Sequence, residues 1–247
     1  MLRKITDTLR GSAVLILLPI LTLLASVIGL TGMLIFRISP RKIQAVPALW
    51  GKILLKAGGV RVIVRGLENI KEDRPYIFAA NHQSQFDIFA MHAAFPHEFC
   101  WLAKKELFRI PLFGQAMRLA GYLPVDRSHG RQAMKSLIEA AKSIAEGSSV
   151  IIFPEGTRSP DGRLQRFKGG STIIAVKSGV PMVPVAISGT HDILPKGKLL
   201  ARPGTITIKV GKPLDTSGFT MKQKHELADL VHDKVAELLE PEPSVAH

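Results

Sequence analysis

Short apolar runs alternate with stretches of helical periodicity from Val60 onward, and this alternation constrains the fold of the 247-residue chain more than any other feature. The runs are rich in β-branched residues and are predicted as strands. They cover residues 60–65, 76–80, 99–103, 122–125, 150–153, 182–187 and 205–210, and the predicted helices cover 85–95, 107–120, 130–146, 169–179 and 221–240. This pattern predicts an α/β fold with helices on both faces of a sheet.

The N-terminal segment has a different character, because residues 11–36 contain no charged side chain. As a helix, this segment is long enough to cross a hydrocarbon core of about 30 Å. Pro19 and the Gly29/Gly32 pair are expected to interrupt it, and basic residues flank both of its ends. The sequence therefore leaves open whether the segment spans the bilayer or dips into one leaflet. A cleaved signal peptide fits poorly, because the apolar region is too long.

An apolar stripe at helical spacing follows the charge-free segment. Its members are Ile43, Val46, Trp50, Ile53, Leu54 and Ala57. The stripe either packs on the globular domain or lies in a membrane interface, and the lysines beside it favour the membrane. We therefore predict a membrane anchor over residues 1–59 and an α/β domain over residues 60–247.

The formal net charge is +13, and residues 1–60 hold eight Lys and Arg against one Asp. Such an excess indicates nucleic acid, an anionic membrane surface or an anionic substrate as partner. Nucleic acid is the weakest of these, because two Trp and two Tyr supply few stacking platforms. The single cysteine, Cys100, excludes a Cys-rich metal site and a disulfide within the chain, and its apolar neighbours predict a packing role.

His82 follows the predicted strand 76–80, and Asp87 comes five residues later. In an α/β sheet, functional groups collect beyond the carboxyl ends of the strands. An Asp that accepts a hydrogen bond from one imidazole nitrogen would orient the ring, leaving the other nitrogen to remove a proton. The alternative is a helix-capping Asp87 beside a surface His82, and the pair alone does not decide between them.

Three further blocks follow predicted strands or lie within them. Asp126-Arg127 comes after strand 122–125, Phe-Pro-Glu-Gly-Thr-Arg occupies 153–158, and Val-Pro-Val-Ala-Ile occupies 183–187. Arg127 and Arg158 carry planar forks suited to phosphate or carboxylate, although each alone is typical of a surface residue.

Together with Asn81-His82-(four residues)-Asp87, these blocks resemble the glycerolipid acyltransferase superfamily, most closely its bacterial 1-acyl-sn-glycerol-3-phosphate acyltransferases. The resemblance covers roughly residues 60–215. It implies a mixed, mostly parallel sheet flanked by helices, preceded by a two-helix element that associates with one leaflet. It also implies an enzyme of the bacterial inner membrane that contacts anionic membrane lipids. The active site would lie on the cytoplasmic side.

The resemblance further implies direct acyl transfer from acyl-CoA or acyl-carrier protein to the sn-2 hydroxyl of lysophosphatidic acid, giving phosphatidic acid without a covalent intermediate, metal or cofactor. His82 would be the general base and Asp87 its orienting partner. Val185 and Ile187 would shape the base of the site or an acyl pocket. The implied phosphate and glycerol site comprises Arg127, Glu155, Gly156, Thr157 and Arg158, with Lys104, Lys105 and Lys168 as accessory basic residues.

Two alternatives stay open at this point. The acceptor could be glycerol 3-phosphate, an ornithine lipid precursor or another lysophospholipid, because the motifs are shared among these enzymes. The chain could also be a basic membrane-surface protein without catalysis, which the oriented His82–Asp87 pair argues against. Acyl-chain length and the choice of donor are not specified by these motifs.

Overall fold

The structure, a computed structural model, describes residues 2–71, 73–126 and 130–240. Every predicted strand is present within this part of the chain, with ends that shift by one residue at most. The strands are β1 (Val60–Arg65), β2 (Ile77–Ala80), β3 (Cys100–Lys104), β4 (Leu123–Val125), β5 (Val150–Ile152), β6 (Met182–Ser188) and β7 (Gly204–Val210).

The helices include every predicted one, in whole or in part, and two short additional ones, Pro40–Ile43 and Thr190–Ile193. They are α1 (Leu2–Leu34), α2 (Pro40–Ile43), α3 (Ala45–Gly58), α4 (Phe86–Ala94), α5 (Phe113–Leu119), α6 (Arg131–Ala145), α7 (Gly169–Ser178), α8 (Thr190–Ile193) and α9 (Lys224–Leu239). Short 3₁₀ helices cover Leu67–Asn69, Lys105–Arg109 and Met221–Gln223.

Across the described residues, the strands form one sheet in the order β1-β7-β6-β2-β5-β3-β4. β6, β2, β5, β3 and β4 are parallel to one another, β6 and β7 pair antiparallel, and β1 is parallel to β7. The predicted mixed, mostly parallel α/β sheet is therefore confirmed. Its five parallel strands bring their carboxyl ends to a single edge, where a site is expected.

Side chains of β2 alternate between two cores, one on each face of the sheet. Phe78 and Ala80 belong to the core that includes Leu54 of α3 and Phe89 of α4. Ile77 and Ala79 belong to the core built with α6, α7 and α9. Because successive residues of a strand point to opposite faces, an all-apolar β2 is what burial on both faces requires.

The predicted helix 107–120 is wrong in its first half. A 3₁₀ helix covers Lys105–Arg109, and α5 begins only at Phe113. Pro111 lacks an amide proton and disfavours helical geometry in the residue before it. Leu112 then adopts a left-handed backbone with φ of 63°.

The predicted interruption of the N-terminal helix is also wrong. α1 runs unbroken through Pro19, Gly29 and Gly32. A β-carbon on Gly32 would lie 2.9 Å from the Ile43 side chain, so this glycine allows a close approach between helices. Proline is tolerated in long apolar helices where neighbouring groups compensate for the lost hydrogen bond.

The apolar stripe of residues 43–57 packs largely on the globular domain, in contrast to the membrane placement that its lysines favoured, and of its six members only Ile53 is exposed. Leu54 is fully buried, and the Trp50 ring meets Phe89 of α4 edge-on with centroids 4.9 Å apart. Trp50 Nε1 also donates to Thr22 Oγ1 of α1, at 3.2 Å. α1 and α3 thus form the two-helix element, and the boundary at residue 59 stays a prediction.

Candidate active site

His82 and Asp87 form a hydrogen-bonded pair at the carboxyl end of β2. His82 Nδ1 lies 2.7 Å from Asp87 Oδ2. The same carboxylate oxygen accepts from the backbone N–H groups of Gln83 and Ser84, at 2.8 and 2.9 Å. Asp87 is fully buried in the first turn of α4. It therefore holds the loop before α4 and orients the imidazole, whereas the helix-capping alternative is wrong, because Gln85 is the N-cap residue and Asp87 lies within the helix.

The hydrogen bond to Asp87 determines which nitrogen of His82 is free to react. A carboxylate only accepts, so Nδ1 carries the proton and Nε2 keeps its lone pair. The imidazole also stacks on the Phe153 ring, with centroids 3.8 Å apart and an interplanar angle of 7°. The ring is therefore fixed in both orientation and tautomer.

Backbone contacts join the His82 loop to the loop that follows β5. His82 N donates to Glu155 Oε1 at 2.7 Å, and Ser159 N donates to His82 O at 2.7 Å. These bonds connect the carboxyl ends of two neighbouring strands. Two of the sequence blocks, separated by about 70 residues, thus form one structure.

The fourth block supports the same loop through Asn81. Asn81 Nδ2 donates to Ile187 O at 2.8 Å, and Ile187 N donates to Asn81 Oδ1 at 2.7 Å. Val185 and Ile187 are fully buried. Ile187 therefore supports the loop that carries His82 through its backbone, and its predicted place at the base of the site stays a prediction.

Glu155 is a buried carboxyl, only 3% exposed. Burial and, to a smaller extent, the nearby Asp87 raise its pKa to about 7, although N–H donors from His82 and Gln165 offset part of the rise. The sequence predicted that Glu155 holds the arginines or the glycerol end of a substrate. In the structure it holds the backbone of His82, and its binding role stays a prediction.

The residues after Glu155 present polar groups at the surface of the site. Arg158 is half-buried and Thr157 is exposed. Gly156 has a φ of 78°, and a β-carbon there would lie 2.9 Å from Lys168 Nζ. Lys168 thus passes close over this loop, near the predicted phosphate-binding residues.

Lys196 is a cation of this loop that the sequence reasoning missed. Its Nζ donates to Thr157 Oγ1 at 3.3 Å and to Arg158 O at 3.1 Å. Lys196 follows α8, beyond the carboxyl end of β6. The rule that singled out Arg127, a cation beyond a strand end, would also have found it.

The remaining predicted cations lie beyond β3 and β4. Lys105 Nζ pairs with Asp126 Oδ2 at 2.5 Å. Lys104 is exposed, with its Nζ 3.8 Å from Glu106 Oε2. Arg127 lies outside the described residues. Lys104 and Lys105 lie at the carboxyl end of β3, at the same edge of the sheet as His82, and the roles of all three cations stay predictions.

An apolar cavity of about 500 Å³ reaches His82. It is enclosed between the two-helix element, α4, α5 and the end of β3. Its apolar lining includes Leu18, Met33, Trp50, Ile88, Leu107, Met117 and Phe153. Val185 and Ile187, predicted to shape the base of the site or an acyl pocket, are not among the residues that line this cavity. No local pattern indicated this cavity, because its walls come from segments far apart along the chain.

Two other side chains near the cavity, an imidazole and a thiol, have pKa values that make them unreactive at neutral pH. Burial lowers the pKa of His92 to about 3, and its Nε2 accepts from Trp101 Nε1 at 2.8 Å. Burial and the nearby Glu98 raise the pKa of the Cys100 thiol to about 11. A weakly basic imidazole and a protonated thiol make His92 and Cys100 poor candidates for a base or a nucleophile.

Comparisons with known proteins agree with the fold. The sequence profile described as "Acyltransferase" matches residues 61–188. The 1-acyl-sn-glycerol-3-phosphate acyltransferase of Limnanthes alba is 37% identical over 184 residues, which is 74% of this chain and 65% of that protein. The protein of that name from Pseudomonas aeruginosa is 33% identical over 80% of each chain.

A solved structure gives the same result. The crystal structure of the 1-acyl-sn-glycerophosphate acyltransferase from Thermotoga maritima is 33% identical to this chain, with a TM-score of 0.69. It is matched over 91% of this chain and 97% of its own. The matched region spans 54–65% of the length of the first plant and algal relatives. On the profile, the relatives and the structure together, the chain belongs to the acyltransferase family.

Proposed function

We propose that the protein transfers a fatty acyl group from a thioester donor to the sn-2 hydroxyl of 1-acyl-sn-glycerol 3-phosphate. The observation that carries this proposal is the His82–Asp87 pair, 2.7 Å apart, at the mouth of an apolar cavity. The names of the relatives supply the acceptor, and the geometry supplies a base beside a space for an acyl chain.

In the proposed reaction His82 Nε2 takes the proton of the acceptor hydroxyl as its oxygen attacks the thioester carbonyl. The new C–O bond forms, the C–S bond breaks, and the imidazolium returns the proton to the leaving thiolate. Asp87 stabilises the imidazolium through Nδ1. A positioned base of this kind contributes about 10²–10⁴-fold in rate. The reaction passes through no acyl-enzyme, and no metal or cofactor takes part.

The phosphate of the acceptor would bind the cations at the mouth of the site. Arg158, Lys168 and Lys196 all belong to, or touch, the loop after β5. Lys104 and Lys105 lie at the end of β3, and Arg127 comes two residues after β4 in the sequence. An arginine fork matches phosphate geometry, while lysines add positive charge without directional demand.

The acyl chain would occupy the apolar cavity, and the donor headgroup would stay outside it. Acyl-CoA and acyl-carrier protein are both anionic donors found in the cytoplasm, so the site would face the cytoplasm at the bacterial inner membrane.

α1 would hold the enzyme on the bilayer. It is the one candidate membrane span found in the described residues, with a mean hydropathy of 2.7 over its apolar window. Gly11, Val14, Ser26 and Gly32 on one side of it are buried against the protein. α1 is thus packed along the folded domain for about 30 Å. This packing favours a helix that lies in one leaflet over a helix that crosses the bilayer.

A donor and acceptor panel tests the proposed function. The full chain would be purified in detergent and supplied with labelled acyl-CoA or acyl-carrier protein. Lysophosphatidate, glycerol 3-phosphate, an ornithine lipid precursor and other lysophospholipids would be compared as acceptors. We expect phosphatidate as the main product. Preference for another acceptor would overturn the substrate, and no transfer to any acceptor would overturn the activity.

A further inference from the structure

The outward face of α1 exposes large aliphatic side chains along its whole length. They include Ile5, Leu9, Ile16, Ile20, Leu23 and Val27, opposite the buried face of the helix. Such a continuous apolar surface is much larger than a soluble monomer normally exposes. Its contact with one leaflet is part of the proposed function.

A second group of exposed aliphatic side chains lies between β3 and α5. Leu107, Ile110 and Leu112 are exposed within six residues, and Ile110 is 46% exposed. The turn that presents them is rigid. A β-carbon on Gly114 would lie only 2.3 Å from Phe108 O, so this close approach requires glycine.

The same turn also holds strain. Leu112 has a φ of 63° and a ψ of −53°, a sparsely populated backbone conformation that costs roughly 1–3 kcal/mol. A strained and fixed turn that points leucine and isoleucine outward has no evident purpose in water.

A third group follows α8. Leu199 is 71% exposed and Leu200 is 44% exposed. This segment touches α1 directly, because a β-carbon on Gly11 would lie 2.6 Å from Ala201 O and 3.3 Å from Leu200 Cβ. Its leucines are therefore continuous with the N-terminal part of α1.

The second group also adjoins α1. Leu107 and Phe113 line the same apolar cavity as Leu18 and Met33 of α1. The second and third groups thus flank α1, and both follow strands whose carboxyl ends form the site.

Basic residues accompany both groups. Lys104 and Arg109 bracket the segment that leads to Ile110, and Lys198 and Arg202 bracket Leu199 and Leu200. Aliphatic side chains beside cations match a bilayer with anionic headgroups, because the leucines enter the acyl region while the cations stay at headgroup depth. A soluble protein partner would not explain the continuity with α1.

Building on the leaflet contact of α1 in the proposed function, we propose that residues 107–112 and 199–200 insert into the same leaflet. An anionic bilayer then contacts the protein at three places around the site. Lys196, three residues before Leu199, connects this surface to the site, since its Nζ donates to Thr157 Oγ1 and Arg158 O.

Depth-dependent quenching tests the three contacts separately. Cys100, the single cysteine, is replaced in a Cys100→Ser background. Single cysteines are introduced by Ile110→Cys, Leu199→Cys, Leu23→Cys and Leu230→Cys, and are labelled with an environment-sensitive fluorophore. All four positions are exposed, so the core is left intact. Leu230 lies on α9, against the opposite face of the sheet, and is the matched control.

The labelled full-length chains are reconstituted in vesicles of phosphatidylcholine and phosphatidylglycerol that carry a spin-labelled acyl chain. We expect quenching at residues 23, 110 and 199 and none at residue 230. If the label at residue 23 is quenched but the labels at residues 110 and 199 are as unquenched as the one at residue 230, this inference is overturned. The α1 contact would still stand. No quenching at 23 would instead overturn the membrane contact on which the inference rests, whatever the activity panel gives.

Discussion

The two loops that build the site differ in how completely their polar groups are buried and bonded to the rest of the protein. In the loop after β2, His82 and Asp87 are buried or nearly so, and neighbours fix the ring, the carboxylate and the backbone. In the loop after β5, Thr157 is exposed and Arg158 is half-buried, and the Lys196 that contacts them is exposed.

This difference separates chemistry from binding. A general base works best when its geometry is fixed before the substrate arrives, because no reorganisation is then needed in the transition state. Exposed cations stay hydrated until an anionic group replaces the water. We therefore expect changes in the first loop to act on turnover and changes in the second to act on substrate binding.

The largest expected effect comes from Asp87→Asn. The amide would replace an oxygen that accepts three hydrogen bonds, and His82 would lose its orienting carboxylate. We expect kcat to fall by about 10²–10⁴-fold with a small change in KM. The control is Asp233→Asn, in an exposed pair where His232 Nδ1 lies 3.1 Å from Asp233 Oδ1. An equal loss of kcat in Asp87→Asn and Asp233→Asn would contradict a special role of the first loop in turnover.

Arg158→Ala should act on binding. Loss of a charge-assisted hydrogen bond of about 1.5–3 kcal/mol corresponds to a rise of about 10–100-fold in the KM for lysophosphatidate. Steady-state kinetics at varied acceptor concentration measure it. Arg163→Ala removes an exposed arginine nearby in the same connection and should leave KM unchanged. A fall in kcat at constant KM would contradict the binding role of Arg158.

Glu155 joins the two loops and should make stability depend on pH. Its pKa rises from an ordinary 4.5 to about 7 on folding, chiefly through burial. Between these values the native state keeps a proton that the unfolded state has lost, so stability falls as pH rises, by up to about 1.4 kcal/mol per pH unit.

Glu155→Gln should remove this slope, as measured by denaturant unfolding in detergent at several pH values. Glu139→Gln, on an exposed i,i+4 pair with Lys135, should keep it. A wild-type slope in Glu155→Gln would show that the carboxyl titrates normally.

The smallest effect is expected from Cys100→Ser. Direct transfer needs no thiol, and burial keeps this one protonated, with its pKa raised to about 11. Turnover should be unchanged, and the free energy of unfolding should change by less than about 0.5 kcal/mol. Loss of transfer, or an acyl group on Cys100 detected by mass spectrometry, would contradict a mechanism without an acyl-enzyme.

Local sequence patterns predicted the elements of this fold well. All-apolar β2 and β5 are typical of strands buried on both faces, and the strand ends then located His82 and Glu155 at one edge of the sheet. The errors arose where two local signals competed. Helical spacing over 107–120 concealed the break at Pro111, while Pro19 and the glycines of α1 indicated a break that tertiary packing prevents.

Long-range contacts were beyond prediction from sequence. The bond between His82 N and Glu155 joins residues 73 apart, and no periodicity encodes it. The apolar cavity has walls from α1, α3, α4 and α5, so it exists only after these helices pack. The motifs predicted which residues form the site, whereas the role of Glu155 as a support for His82 required the geometry.

Turnover by His82→Ala tests the central claim most directly. The variant keeps Asp87 and the cations and removes the proposed base. We expect kcat to fall by about 10²–10⁴-fold, with unchanged circular dichroism and vesicle binding. His232→Ala, which removes the histidine of the exposed pair on α9, should retain full activity. A folded, vesicle-bound His82→Ala protein with near-wild-type kcat would contradict general-base catalysis by His82.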